Sequence, residues 1–251
     1  MMTAKSEASD IAKPRTLALW LWGASAVIMA VLYTVILSSV AAIVAPFRDG
    51  HWVSPVSQLW GWLIIRICGV KIEIEGLEHL RGIEPFVMVA NHQSMFDIFA
   101  IVGFIPGETR FVAKKELLKV PMLGYAMRRS GHILVDRRRG GQAIRRAIEV
   151  SRLGYNICVF AEGTRFSDNR VHDFNDGAAW IALATHRRCI PVAISGSAAV
   201  FPRGARLVVP RRRILIRLCA PIETRSLKSS DRDALTHQLE TAVRSAFVSQ
   251  V

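Results

Sequence analysis

"FVMVANHQSMFDIFAIV", residues 86 to 102, passes from a short apolar run into a longer one through Asn91, His92, Gln93 and Ser94. The run "VMVA" reads as the end of a strand. Asn91 suits a turn and Ser94 is a good N-cap, so the stretch predicts strand, loop and helix in that order. On a regular helix, residues five apart sit about 140° apart around the axis, and the side chains of His92 and Asp97 would diverge. They meet only where His92 stands on the loop ahead of the helix. Two readings stay open. Ser94-Met95-Phe96-Asp97 has the S-x-x-D form of a capping box, with Asp97 turned back to the helix start. Equally, an imidazole held by a carboxylate is a good general base for taking a hydroxyl proton.

Outward from this stretch, short apolar runs alternate with helical ones from Lys71 onward. That alternation predicts an α/β fold, one domain with a mixed central sheet flanked by helices. The candidate strands are "KIEIEG", "FVMVAN", "RFVAKK", "HILVDR", "NICVFAEG", "IPVAISG" and "ILIRLCAP". Helices are expected after Ser94, from Pro121, from Gly140 and over "DGAAWIALATHRR". A tail helix from Ser229 has Ser230 and Asp233 as a capping box and Leu235, Leu239, Val243 and Phe247 along one face. No internal repeat or long Pro/Gly linker divides this part.

The amino-terminal part is different. No charged residue occurs between Thr16 and Phe47. As one helix at about 1.5 Å per residue, that stretch exceeds the roughly 30 Å hydrocarbon thickness of a bilayer. A membrane helix is expected; a secretory signal fits less well, because the run is long and lacks a small-residue cleavage site. The following segment, "WVSPVSQLWGWLIIRICGV" from Trp52, is interrupted by Arg66 and carries Trp60 and Trp62, which suits an interfacial position. Lysines and arginines on the two flanks give no decisive orientation; an interfacial or re-entrant helix pair keeps both ends on one side. The expected organisation is therefore a polar tail over residues 1–16, a membrane-associated helical segment over 17–69 and a catalytic domain over 70–251.

Bulk composition agrees with a membrane setting. Mean hydropathy is +0.28, and the formal net charge of +13 implies attraction to polyanions. No zinc-finger or RNP-type motif and no basic region with interleaved aromatics is present, so nucleic acid is not an expected partner. Cys68, Cys158, Cys189 and Cys219 lie far apart without CxxC or metal-ligand spacing, and read as reduced core residues in a cytoplasmic setting.

Further polar groups fall at strand ends. "NICVFAEGTRFSDN" stops abruptly in Glu162-Gly163-Thr164-Arg165, where the glycine permits a tight turn, the threonine offers a hydroxyl and the arginine offers a planar fork for phosphate. A plain surface loop with its Glu and Arg neutralising each other would use the same residues. "SGHILVDRRRG" delivers Arg137 to a strand end, and "FVAKKEL" does so with Lys114. Ligands of open α/β sheets gather beyond the carboxyl ends of the strands, so these groups can converge with His92. There is no G-x-S-x-G elbow, and "ISGSA" around Ser195 and Ser197 is a small-residue turn.

Taken in order, these blocks resemble the glycerolipid acyltransferases, and among them the lysophosphatidate acyltransferases most. "NHQSMFD" matches the N-H-x-x-x-x-D motif, "GHILVDR" the second block, "FAEGTR" the F-P-E-G-T-R block and "IPVAISG" the late V/I-P-V block, within roughly residues 70 to 220. The resemblance implies that His92 is the general base and Asp97 its orienting partner. It implies that Arg137, Glu162, Gly163, Thr164 and Arg165, with Lys114, bind the glycerol-phosphate headgroup. It also implies a lysophospholipid acceptor and an acyl thioester donor, acyl-CoA or acyl carrier protein, with no bound cofactor and no metal. The expected product is phosphatidate, and the expected location is an anionic cell membrane with the catalytic domain on the cytoplasmic side. Other acceptors, such as lyso-ornithine lipid, glycerol 3-phosphate or another lysophospholipid, fit the same motifs, and a non-enzymatic protein binding anionic lipid would share the charge. One departure stands out: Ala161 replaces the family's usual proline, which should loosen the turn into the Glu162 loop. Nothing in the sequence sets an oligomeric state.

Overall fold

The computed structural model describes residues 16–45, 47, 51–82, 85–120, 122–135 and 140–249. Its strands are β1 Lys71–Glu75, β2 Val87–Ala90, β3 Thr109–Lys114, β4 Ile133–Val135, β5 Asn156–Phe160, β6 Cys189–Ser195 and β7 Arg213–Leu218. Each coincides with one of the apolar runs picked out in the sequence, with β3, β6 and β7 starting one residue earlier than their runs. They form a mixed sheet in the order β1-β7-β6-β2-β5-β3-β4, with β7 antiparallel to β6 and parallel to β1, and the other pairings parallel. The carboxyl ends of β2, β3, β4 and β5 therefore open on one edge.

Every residue of β2 is buried, as expected for a central parallel strand covered on both faces. Successive side chains alternate between two cores: Met88 and Ala90 on one face, Val87 and Val89 on the other. Full burial of a Val or Met is worth roughly 1.5–3 kcal/mol, so register is strongly held here. Ala90 lies opposite Phe160 of β5, which sets the loops leaving these two strands side by side.

The helices are α1 Leu17–Val44, α2 Val53–Ile67, α3 Phe96–Phe104, α4 Leu123–Arg129, α5 Gly140–Arg152, α6 Gly177–Thr185, α7 Ser197–Val200 and α8 Arg232–Ala246. α2 and α3 cover the face that carries Met88, while α6 and α8 pack in the core that carries Val87. α2 and α3 touch backbone to backbone: a Cβ at Gly61 would lie 2.6 Å from the Phe99 carbonyl oxygen, and one at Gly103 would lie 2.6 Å from the Trp62 nitrogen. Thus the Trp-rich segment has an inner face inside the domain, with Ile64 and Ile65 buried, while Trp52, Leu59 and Trp62 stay exposed.

α1 and α2 form an antiparallel hairpin. The Trp22 indole donates to the Ile67 carbonyl at 2.8 Å, the Trp60 indole donates to Thr34 Oγ1 at 3.0 Å, and Ala41 and Ala42 pack with Val53. α1 is long and apolar enough to cross a membrane. It is nonetheless docked on the domain near both ends, with Gly23 against the Val208 carbonyl and Ala41 beside Ala126 of α4. Its outer side leaves Leu21, Ile28, Val35 and Ile43 exposed. A polar clasp holds the hairpin to the amino end of β3: Ser54 donates to Glu108 at 2.5 Å, and buried Arg110 donates to Ser54 at 3.0 Å while stacking on Tyr155.

The helix expected in the stretch from Pro121 is the short α4, and a 3-10 turn over Lys115–Lys119 comes before it. One local expectation is corrected. The tail helix is not boxed by Ser230 and Asp233. A 3-10 turn over Ser229–Asp231 comes first, and Asp231 reaches back to the Lys228 N–H at 2.7 Å. Leu235, Leu239 and Val243 are buried as the periodicity requires. The four cysteines are free, three of them buried.

Candidate active site

The site begins where β2 ends. The Asn91 side chain donates to the Ile194 carbonyl at 2.9 Å and accepts the Ile194 N–H at 2.8 Å, so it continues the pairing toward β6 in place of a backbone. His92 is the next residue, and it stands on the loop before α3. Its Nδ1 lies 2.8 Å from Asp97 Oδ2, which also accepts the N–H groups of Gln93 at 2.7 Å and Ser94 at 2.8 Å. Asp97 is fully buried in the first turn of α3, where the helix dipole favours a negative charge.

The two readings of this stretch therefore coexist. Asp97 performs the backward half of a capping box on Ser94, and the same oxygen fixes the His92 ring. Ser94 Oγ accepts the Phe96 N–H at 3.2 Å and donates to the Phe201 carbonyl at 2.7 Å. With Asp97 on Nδ1, the imidazole is oriented with Nε2 as its other nitrogen. The Phe160 ring stacks on His92 at 3.9 Å and 13°, which fixes the ring plane.

Glu162 follows β5 and is buried. Its Oε2 accepts the His92 N–H at 2.6 Å, and its Oε1 accepts the His172 N–H at 2.8 Å. Burial pushes its carboxyl up to about 7, against the lowering effect of those two amides. Both oxygens are engaged by main chain, so Glu162 ties its own loop to the His92 loop. Gly163 adopts φ +68°, and a Cβ there would lie 2.8 Å from Asn175 Nδ2, so glycine is required on both counts. Ala161 does not loosen the turn: it is buried, donates its N–H to the Ala90 carbonyl at 3.0 Å, and accepts the Asn175 N–H at 3.0 Å. Proline has no N–H for the first of these bonds.

A cavity of about 1290 Å³ runs from this edge toward the hairpin, with His92, Met95, Phe111 and Phe160 at one part and Thr34 and Trp60 at another. Lys114, Glu162, Gly163, Thr164 and Arg165 also line it. Arg137 lies outside the described residues. Among the described residues no cluster of His, Cys, Asp and Glu is arranged to hold a metal. Phe160, Asn175 and Arg203 line the same cavity and escaped sequence reading. Phe160 reads there as an ordinary strand residue, and Asn175 and Arg203 belong to loops whose approach depends on the fold.

The edge thus brings together a histidine oriented by a buried carboxylate, basic side chains and an apolar cavity. Residues 71–195 match the family described as Acyltransferase, and the chain belongs to that family. It is 29% identical over 183 residues to mouse 1-acyl-sn-glycerol-3-phosphate acyltransferase alpha, covering 71% of this chain and 64% of that protein. It is 32% identical over 168 residues to the 1-acyl-sn-glycerol-3-phosphate acyltransferase of Limnanthes alba, covering 65% and 59%. This chain spans just under two thirds of the length of the first of these relatives. The crystal structure of the 1-acyl-sn-glycerophosphate (LPA) acyltransferase PlsC from Thermotoga maritima superposes with a TM-score of 0.76 at 27% identity, over 92% of this chain and 94% of that one.

Proposed function

We propose that this protein transfers a fatty acyl group from an acyl thioester to the free sn-2 hydroxyl of 1-acyl-glycerol 3-phosphate, giving phosphatidate. The observation that carries the reading is the His92–Asp97 contact of 2.8 Å at the mouth of an apolar cavity edged by Lys114 and Arg165. Relatives named for this reaction support the choice of acceptor.

In this reading His92 Nε2 takes the hydroxyl proton as the oxygen bonds to the thioester carbonyl carbon. The tetrahedral adduct collapses, the carbon–sulfur bond breaks, and the departing thiolate receives the proton from the imidazolium. Asp97 keeps the ring oriented and stabilises its charged form. Because the thioester is already activated, no acyl-enzyme and no metal or bound cofactor enter the scheme. Arg165 and Lys114, with Arg137, hold the acceptor's phosphate, so that its hydroxyl stands near His92. The donor, acyl-CoA or acyl carrier protein, contributes only its acyl thioester to these steps.

The hairpin over residues 17–69 is the membrane-associated segment, and residues 70–251 carry the chemistry. Docking of α1 at Val208 and at Ala126 favours a helix lying along the domain with its outer apolar side in an anionic bilayer. That arrangement keeps the catalytic domain on one side, the cytoplasmic one, of a cell membrane.

An acceptor panel tests the assignment. Purified membranes bearing the protein should acylate 1-acyl-glycerol 3-phosphate in preference to glycerol 3-phosphate, lyso-ornithine lipid and other lysophospholipids. Activity confined to phosphate-free acceptors would overturn it.

A further inference from the structure

We infer that Arg203, on the loop after α7, is an additional phosphate-binding residue of the acceptor site; this rests on the function proposed above. Arg203 lines the cavity that contains His92 and Arg165, although it lies more than a hundred residues beyond His92 in the chain. Its loop is strapped to the loop before α3 at two points. The Arg203 N–H donates to Ser167 Oγ at 2.8 Å, and that hydroxyl donates to the Gln93 carbonyl at 2.9 Å. Ser94 Oγ donates to the Phe201 carbonyl at 2.7 Å. The main chain of Arg203 is thus fixed relative to Gln93 and Ser94, the two residues that follow His92, as a positioning element must be.

Charge supplies the second line. Among the described residues, Arg213, Arg217, Arg188 and Arg244 each pair with a carboxylate. Lys114, Arg165 and Arg203 have no such partner among the described residues, yet they border one cavity. The carboxylates of Glu116, Glu162 and Asp176 line the same cavity without an ion pair to any of the three, and a guanidinium fork matches a phosphate monoester's oxygens.

The test uses the full-length protein in vesicles, with oleoyl-CoA and 1-oleoyl-glycerol 3-phosphate. Arg203→Gln should raise KM for the acceptor about tenfold, leave KM for the thioester unchanged and keep kcat within about threefold. Arg203→Lys should recover part of the loss, keeping the charge without the fork. The thermal midpoint should not move, because the side chain is exposed. An unchanged acceptor KM, or a rise confined to the thioester, overturns the inference. Binding of glycerol 3-phosphate, followed by ligand-observed NMR, separates the two levels. Arg203-dependent binding by a protein that acylates no lysophosphatidate would overturn the acceptor assignment and retain the phosphate site. Binding indifferent to Arg203→Gln would overturn the site itself.

Discussion

Glu162 holds the main-chain N–H of His92 at 2.6 Å with one carboxylate oxygen and that of His172 at 2.8 Å with the other. Each oxygen bonds to main chain, so Glu162, which also lines the cavity, fixes the relative position of two loops.

Replacing Glu162 should therefore show in stability and in its pH dependence. Burial raises the carboxyl from an ordinary 4.5 to about 7 in the folded protein. A raised acid binds its proton more tightly when folded, so the stability it contributes is complete below about pH 4.5 and is lost as pH rises through about 7. Glu162→Gln has no such loss but offers one acceptor to two amides. The variant should melt below wild type at about pH 5, and the gap should narrow toward about pH 8, as thermal melts across that range would show.

His92→Ala removes the base and leaves Asp97 on the Gln93 and Ser94 amides. Acyl transfer should fall by at least about 10³-fold with a melting temperature close to wild type. Asp97→Asn keeps the shape but weakens both tasks of the residue. It should reduce kcat by about 10²-fold or more and cost about 1–3 kcal/mol of stability. Turnover by His92→Ala at wild-type rate would refute the general-base role.

Gly163→Ala meets two obstacles, the positive φ and the Asn175 amide. A loss of about 1–3 kcal/mol is expected from denaturant unfolding, with a parallel loss of activity. Adding Asn175→Ala should relieve the collision while leaving the backbone strain, so recovery should be partial.

Gly61→Ala would drive a methyl into the backbone of α3. A destabilisation of about 1–3 kcal/mol is expected, together with reduced acyl transfer, because α2 also supplies cavity-lining Trp60. Circular dichroism melts and an activity assay on the same preparation would check both.

Much of the fold was legible because its strands are apolar runs ended by turn-forming or polar residues; "VMVA" before Asn91 is the plainest case. The His92–Asp97 contact was legible as a condition: the two meet only with His92 outside the helix, which Ser94 and Asn91 arrange. Harder to read were effects of residues distant in sequence. Phe160 stacking on His92 depends on the register Ala90 opposite Phe160, and Arg203 reaches the site through hydroxyl straps that carry no spacing signal. The substitution at Ala161 was misread for a related reason. Its value lies in an N–H directed at Ala90, which becomes visible only when β2 and β5 are side by side. The tail cap moved because Asp231 and Asp233 offer equivalent carboxylates, and the 3-10 turn selected the nearer one.

α1 has one side along the cavity, through Thr34, Leu37 and Ala41, and another side unpartnered by protein, through Val35, Ile36 and Val40. A single layer of helix separates the two. Whatever medium surrounds the outer side chains therefore presses on a wall of the cavity, so a detergent micelle and a lipid sheet give the same polypeptide differently braced interiors. The environment of this helix belongs in any description of the protein's state, alongside temperature and pH.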